Sequence, residues 1–316
     1  MIRYVAVRLA QAVAVVIGVT IVVFVIIHRL PGGPARALLG ERASDQAVHA
    51  FVVQNGYDKP LPAQYLHYIN NLLHGDLGYS YYYNEKVTAI LANVLPKTAV
   101  LVGLAYVVAI AIAVPVGMYQ AMHRNKISDH VLTVGAFIGF SMPTFWLGIL
   151  LVYFFSISTH LFPAEAPQTT SLVLLLRDFR ALVLPVVTLA VVSVAQFSRF
   201  TRASAASNLA QDFVRTARAK GVSDGGIVRR HLLRNSLLPL ITLFGLSLPS
   251  LFAGAIVVET LFNYPGMGQL LYTATTVHDY SVLMGFTVVV GVATVTSSLV
   301  ADLLYAVVDP RIRYSA

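Results

Sequence analysis

Six long stretches of the chain contain no Asp, Glu, Lys or Arg. An α-helix rises about 1.5 Å per residue, so roughly 20 apolar residues cross the hydrocarbon core of a bilayer. Transmembrane β-strands would need alternating runs of about 10 residues, a pattern that these stretches do not follow. They therefore predict an all-α polytopic membrane protein with six transmembrane helices. The stretches are residues 9–27, 98–122, 131–159, 181–198, 236–258 and 280–301.

The composition of the chain excludes most classes of soluble protein. Charged residues make up 11% of the 316 residues and hydrophobic residues 57%, whereas a soluble domain carries about 25% charged residues. This excludes a soluble enzyme, a disordered regulator and a nucleic-acid-binding domain. The chain contains no cysteine, so it has no disulfide, no thiol nucleophile and no Cys-ligated metal.

The first stretch has two interpretations, a cleaved signal peptide or an uncleaved anchor. Arg3 and Arg8 precede it, and residues 35–37 have the small-x-small form of a cleavage site. Its apolar run is longer than the roughly 7 to 15 residues of a signal-peptide core, and His28 and Arg29 separate it from that site. We therefore expect an uncleaved anchor.

Basic residues are distributed unevenly among the loops. The segment 199–235 carries eight Lys and Arg, and the loop 121–130 and each terminus carry two. The short loops 160–180 and 259–279 on the other side carry two and none. Because Lys and Arg concentrate in cytoplasmic loops, both termini are predicted in the cytoplasm and the protein in the plasma or inner membrane.

These loops divide the chain into three parts. Residues 1–30 are predicted to form the N-terminal transmembrane helix, 31–97 an external loop domain, and 98–316 a core domain with five transmembrane helices that includes the loop 199–235.

The external loop is predicted to fold rather than to serve as a linker. Ser44 or Asp45 can cap a helix that ends near Gly56. Pro62 suits an early position in a second helix. Asn84 can cap a third helix that leads into the second span and lies in the membrane interface.

Four tyrosines precede that third helix. They fit either an aromatic belt at the membrane interface or a contact surface for an external partner or the mouth of a pore. They are Tyr79, Tyr81, Tyr82 and Tyr83.

The cytoplasmic loop 199–235 is predicted to contain a short amphipathic helix between the fourth and fifth spans. Asn208 or Asp212 can cap this helix, and Gly221 can end it in the left-handed conformation. A second helix start follows at Ser223. The charge count alone would also fit a basic loop that merely follows the positive-inside rule.

The residue order in this loop carries a family resemblance. Residues 212–239, DFVRTARAKGVSDGGIVRRHLLRNSLLP, resemble the cytoplasmic coupling loop of ABC importer permeases in its dipeptide and oligopeptide form. The general family pattern is Glu-Ala-Ala, three residues, then Gly. Arg215, Thr216, Ala217 and Gly221 stand at the matching positions, so the Glu and the first Ala are absent. Other segments that look like the same branch are GYDKPLPAQYLHYINNLLHGDLGYS at 56–80, SMPTFWLG at 141–148, VETLFNYPGMGQLL at 258–271 and DLLYAVVDPRIR at 302–313.

The resemblance implies a transport subunit with several partners. Two related permeases form the pore, two cytoplasmic ATPases bind ATP and Mg, and an external binding protein delivers a peptide substrate. The chain itself is expected to hold no cofactor and to have no enzymatic activity: none of its lysines follows a glycine, so a P-loop is absent.

The resemblance makes residues 98–316 the core permease domain and 199–235 its coupling loop, and it implies a role for the helix in that loop. It would dock into an ATPase groove, with Ala217 and Ala219 allowing close approach and the basic side chains pairing with the partner. The basic residues that follow, Arg229 to Arg234, more readily anchor the return helix at lipid headgroups. The expected ATPase-coupling residues are Asp212, Arg215, Thr216, Ala217, Arg218, Ala219, Lys220 and Gly221.

Polar and hinge residues near the spans suggest further roles. Glu259 fits either an external gate or binding-protein contact, or a solvated carboxylate at the interface; Tyr264, Pro265, Gly266 and Gly268 accompany it. Asp302 is expected to pair with a basic residue. Three polar residues fit either a pore lining or contacts between helices: Ser141, Ser193 and Gln196. Prolines that allow kinks are Pro115, Pro143, Pro185 and Pro249.

Alternatives to a peptide importer remain at this stage. Nickel and glutathione importers share this type of permease. A stand-alone secondary transporter or channel would be expected to show ionisable residues at the membrane midplane or paired inverted repeats. An intramembrane hydrolase would need a nucleophile and a base at membrane depth, and the sequence offers no such pair.

Overall fold

The computed structural model describes residues 2–29, 33–40, 42–169, 171–247 and 255–308. Within these ranges the chain is mainly helical. The helices are α1 Ile2–Arg29, α2 Gly33–Leu39, α3 Asp45–Gln54, α4 Leu61–Leu73, α5 Val87–Met122, α6 Ile127–Ser141, α7 Thr144–Leu151 with a π-helical continuation Val152–Ser158, α8 Leu172–Arg177, α9 Phe179–Leu209, α10 Asp212–Ala219, α11 Asp224–Ile227 with a π-helical segment Val228–Leu232, α12 Leu233–Ser236, α13 Leu238–Ser247, α14 Ile256–Leu261, α15 Met267–Thr276 and α16 Tyr280–Val308. Two strands, β1 Tyr79–Ser80 and β2 Glu85–Lys86, form an antiparallel hairpin.

The predicted all-α membrane architecture is confirmed. In the described part of the chain, three helices are long and apolar enough to cross a membrane, namely α5, α9 and the first part of α16, and up to five spans result if each bent helix pair forms one. The fifth predicted span includes residues 248–254, which lie outside the described ranges. The count of six spans therefore stays a prediction.

The third predicted span is not one continuous α-helix. Helix α6 ends at Ser141, and α7 begins at Thr144 with its axis turned by 102°. Met142 and Pro143 between them are extended, with ψ of 124° and 132°. Proline cannot donate a helical hydrogen bond and disfavours the α conformation in the residue before it, so the predicted kink is a break. Pro115 and Pro185, by contrast, lie inside continuous helices.

Two of the three predicted external helices are confirmed. The Ser44 hydroxyl accepts a hydrogen bond from the backbone N–H of Ala47 at 3.2 Å and caps α3, and Gly56 follows that helix with φ of +69°. Pro62 lies in the first turn of α4. The third helix is not separate, because α5 runs unbroken from Val87 to Met122. The cap predicted at Asn84 is wrong, since that residue lies in the hairpin turn with φ of +53°.

Small side chains allow α5 and α9 to pack closely. Ala105, Ala109 and Ala113 on α5 are buried in one cluster with Leu182 and Ala190 of α9. Close approach of backbones through small residues is typical of helix packing in membranes. Near the end of α5, a Cβ placed on Gly117 would lie 2.5 Å from the Thr201 Cβ. The two helices therefore form a tight central pair.

An ion pair joins the first turn of α6 to the last part of α9. Arg202 donates from Nε to Asp129 Oδ1 at 2.8 Å and from Nη2 to Asp129 Oδ2 at 2.7 Å. The Asp129 side chain is only 1% exposed, whereas the Arg202 side chain is 34% exposed. The Asn125 N–H also donates to Asp129 at 3.0 Å. This bidentate pair fixes the start of α6 against the end of α9.

Candidate coupling helix and external clasp

The predicted amphipathic helix in the cytoplasmic loop is α10. It begins at Asp212, but neither predicted residue caps it. Gln211 holds the N-cap position, Asp212 already belongs to the first turn, and the Asn208 amide donates to Ser204 O and Ser236 Oγ at 3.0 and 3.2 Å. Asn208 cannot cap α10 because it still belongs to α9, which continues through Leu209.

The predicted end of α10 at Gly221 is confirmed. Gly221 has φ of +75°, and its N–H donates to Arg218 O at 2.9 Å. The next N–H, of Val222, donates to Ala217 O at 3.1 Å. These two bonds form a Schellman motif, in which a left-handed residue closes the last turn of a helix. The helix therefore ends in a rigid turn rather than fraying.

One face of α10 packs against its own chain. Val214 is fully buried and Ala217 is 6% exposed. They share a cluster with Met118 of α5, Ala205 of α9 and Ile227 of α11. Ala217 therefore contacts the body of the protein in this structure, and its role in close approach to a partner stays a prediction.

The opposite face of α10 is open. Two exposed ion pairs lie along it, Arg215 with Asp212 at 3.5 Å and Arg218 with Asp224 at 3.6 Å. Such pairs contribute little to stability, so these side chains remain available to a partner. The exposed residues of the segment are Asp212, Phe213, Arg215, Thr216, Arg218, Ala219, Lys220 and Gly221.

A second candidate site surrounds Glu259, which is fully buried. Its Oε2 accepts hydrogen bonds from the N–H groups of Gly268 at 2.6 Å and Gln269 at 3.1 Å. Its Oε1 accepts from the Thr98 hydroxyl at 2.9 Å and from the Ala255 N–H at 3.2 Å. The carboxylate thereby caps the N-terminus of α15, where N–H groups lack helical partners and the helix dipole favours negative charge.

Thr98 and Tyr264 extend this arrangement to α5. The Thr98 hydroxyl accepts from the Met267 N–H at 2.7 Å. The buried Tyr264 donates its phenolic hydrogen to Lys97 O at 2.6 Å. We call this set, namely Lys97, Thr98, Glu259, Tyr264 and residues 266–269, the external clasp, after the side of the membrane on which the sequence predicts it.

The glycines of the clasp are required by close contact rather than by a turn. A Cβ on Gly266 would lie 2.5 Å from both Glu259 Oε2 and Thr98 Oγ1. A Cβ on Gly268 would lie 2.7 Å from the backbone of Ile256. Real Cβ atoms do not approach other atoms so closely, so only glycine lets the backbone reach the carboxylate.

The interpretation of Glu259 as a solvated interface carboxylate is wrong. Its membership of an external gate or binding-protein contact stays a prediction, and the buried side chain itself is not displayed to a partner in this structure. The sequence analysis missed Thr98, which lies 161 positions from its carboxylate partner. No local pattern links the two residues.

The three predicted pore-lining residues are in different environments. Ser193 donates to Leu189 O of its own helix at 3.2 Å, which leaves it no role as a donor between helices. Ser141 is exposed at the end of α6, and Gln196 is exposed on α9 within the fourth predicted span. The side chain of Asp302 and the whole of Pro249 lie outside the described residues.

These features define a class of protein: an all-α membrane protein in which a short helix with an exposed basic face packs near the end of α5, at Met118, and a buried carboxylate network contacts α5 at Lys97 and Thr98. Residues 113–314 match the family described as binding-protein-dependent transport system inner membrane component, and residues 1–102 match the N-terminal part of such components. The chain belongs to this family. It is a multi-pass protein of the inner membrane and the permease subunit of an ABC importer, a transport subunit rather than an enzyme.

Curated relatives match the chain over its full length. The oligopeptide transport system permease protein AppB of Bacillus subtilis is 35% identical over 316 residues, which cover 99% of this chain and 100% of that protein. The dipeptide transport system permease protein DppB of Escherichia coli is 35% identical over 338 residues, covering 99% of each. The di/tripeptide transport system permease protein DppB of Pseudomonas aeruginosa is 35% identical over 334 residues, again covering 99% of each.

Proposed function

We propose that this chain is one of two pore-forming subunits of an ATP-driven importer for dipeptides and oligopeptides. Its partners are a second homologous permease, two cytoplasmic ATPases and an external binding protein. Full-length similarity to relatives named as peptide permeases supports this cargo. The observation that carries the proposal is α10, a short helix anchored on one face and open on the other in a permease of this family.

Helix α10 can transmit force because it is attached to the central helix pair. Val214 and Ala217 pack beside Met118 of α5 and Ala205 of α9. A displacement of α10 is therefore passed to the ends of α5 and α9 as movement of a close-packed unit. ATP and Mg, bound by the partner ATPases, supply the free energy for that displacement.

The open face of α10 suits an acidic groove on an ATPase. Arg215, Arg218 and Lys220 are exposed, and the ion pairs of the two arginines are weak. The Schellman turn at Gly221 keeps these side chains at a fixed distance from the return segment. With the coupling helix in the cytoplasm, we propose six spans with both termini on the cytoplasmic side and residues 31–97 outside.

The proposal is tested by purifying the assembly. The chain is tagged at its C-terminus, extracted gently from its native membrane, and its companions are identified by mass spectrometry. A second permease together with ATPase subunits is the expected result. Recovery of this chain alone in several mild detergents would favour a stand-alone transporter or channel instead.

A further inference from the structure

A cavity of about 360 Å³ lies beside the external clasp. It is bounded by α5, by the hairpin of β1 and β2, and by the loop before α15. Lys97, Asn93, Glu85, Gln168, Gln269 and Pro265 are among its lining residues. This volume lies within the range of small-molecule sites, which combine apolar walls with a few polar groups that fix orientation.

Lys97 is the unusual member of this lining, because it is 3% exposed and forms no ion pair with any of the described residues. The ion pairs among the described residues involve only arginines as their basic members. The hydrogen bond that the structure gives Lys97 beyond its helix is accepted by its backbone carbonyl from Tyr264. An ammonium in a largely buried residue without a counter-ion in contact costs free energy, so the Lys97 amine would gain from an anionic ligand in the cavity.

The external clasp holds Lys97 in place before any ligand arrives. Tyr264 fixes its carbonyl oxygen, and the next residue, Thr98, bonds to both Glu259 and Met267. A site whose backbone is already ordered loses little entropy when it binds a ligand. The backbone at Lys97 is therefore held in place by the fold, at the wall of the cavity.

Further polar groups on the wall suit a zwitterion. Glu85 lines the same cavity and forms no ion pair with Lys97 in the structure, so the two charges are separated within one site. Asn93, Gln168 and Gln269 line the cavity together with hydrophobic residues such as Ile90 and Val94. Burial raises the pKa of the Tyr83 phenol, which also lines the cavity and stays neutral there.

We propose that Lys97 binds the C-terminal carboxylate of a short peptide as the peptide enters the pore, with Glu85 facing its ammonium end. This inference rests on the proposed function as a peptide permease. It assigns to the permease itself a part in recognising the free C-terminus, in addition to any selection by the binding protein.

The test compares a labelled dipeptide with its C-terminal amide. The complete transporter, reconstituted in liposomes with its binding protein, is prepared as wild type, Lys97→Met, Lys97→Arg and the control Lys59→Met, which removes an exposed charge of the same external domain. Lys97→Met is expected to raise the half-saturating concentration of the free acid by at least about tenfold. The half-saturating concentration of the amide is expected to change little in Lys97→Met. Lys97→Arg and Lys59→Met are expected to keep the wild-type preference for the free acid over the amide.

Two results would overturn the inference. If Lys97→Met still transports peptides and the ratio of the half-saturating concentrations of free acid and amide is unchanged, Lys97 does not recognise the C-terminal carboxylate. If the Lys97→Met transporter no longer binds the substrate-free binding protein, Lys97 pairs with a carboxylate of that protein and not with the peptide. Failure of the wild-type complex to transport any peptide would contradict the proposed function itself, which separates that failure from the other two.

Discussion

The Glu259 carboxylate accepts a hydrogen bond from the Thr98 hydroxyl at 2.9 Å, although 161 positions separate the two residues in the chain. The same carboxylate accepts hydrogen bonds from the backbone N–H groups of Gly268 and Gln269. One buried acid thus joins the start of the second predicted span to the first turn of α15. The start of the second predicted span and the segment 255–269 are held together by these bonds as well as by apolar packing.

Glu259→Gln is expected to destabilise the protein by about 1 to 3 kcal/mol, because the amide N–H₂ replaces an acceptor and faces N–H donors in a buried site. Thermal unfolding of the detergent-solubilised complex measures the loss. Asp58→Asn, at an exposed position between α3 and α4, is the control and is expected to change little. Equal stability of the two variants would contradict the buried hydrogen-bond network.

The same Glu259→Gln variant is expected to retain its ATPase subunits, because α10 lies on the opposite side of the proposed membrane topology. Pull-down of the tagged variant followed by mass spectrometry checks this. Loss of the ATPases from a variant that still inserts in the membrane would argue against that topology.

Gly268→Ala is expected to cost about 1 to 3 kcal/mol of stability through overpacking. Its new Cβ would lie 2.7 Å from the Ile256 backbone, which cannot rotate aside as a side chain can. Gly103→Ala on α5 is the matched control, since no heavy atom lies within 4 Å of its new Cβ. Thermal unfolding compares them, and a neutral Gly268→Ala would show that the backbone at Ile256 yields easily.

Local signals explain which parts of the fold could be predicted from the sequence. The cap at Ser44 and the end of α10 at Gly221 depend on residues within one turn of each other. The long uncharged stretches predicted the apolar helices because burial in lipid acts along the whole segment. The outcome at Pro143 was harder to predict, because neighbouring helices decide whether a proline kinks or breaks a membrane helix.

The external clasp could not be predicted, because its partners are distant in the sequence. A glutamate at the end of an apolar stretch ordinarily faces water. Glu259 is instead hydrogen-bonded by backbone N–H groups, which come close enough because residues 266 and 268 are glycines. The pair of Asp129 and Arg202 was missed for the same reason. Both sites depend on how helices pack together, and a single sequence does not contain that information in a local pattern.

Gly221→Val is expected to abolish peptide transport while leaving insertion in the membrane intact. A β-branched residue at φ of +75° is strained by about 1 to 3 kcal/mol, which favours opening of the turn that ends α10. Gly225→Ala is the control, because that glycine has ordinary backbone angles and open space around it. Uptake of labelled peptide is measured against the amount of protein in the membrane, and normal uptake by Gly221→Val would refute the coupling role of α10.

The pair of Asp129 and Arg202 is expected to show strong coupling in a double-mutant cycle. Replacing Asp129 with Asn, Arg202 with Gln, and then both, should give a coupling free energy of about 1 to 3 kcal/mol in thermal unfolding, since the two residues share a bidentate contact with a buried carboxylate. The exposed pair of Arg36 and Asp45 serves as the reference and should give at most about 1 kcal/mol. Arg202 lies on α9 one turn before Ala205, which packs with α10. Loss of the ion pair should therefore also lower the ATPase activity that substrate stimulates. A coupling energy no larger than that of the reference pair would contradict a strong bidentate interaction between Asp129 and Arg202.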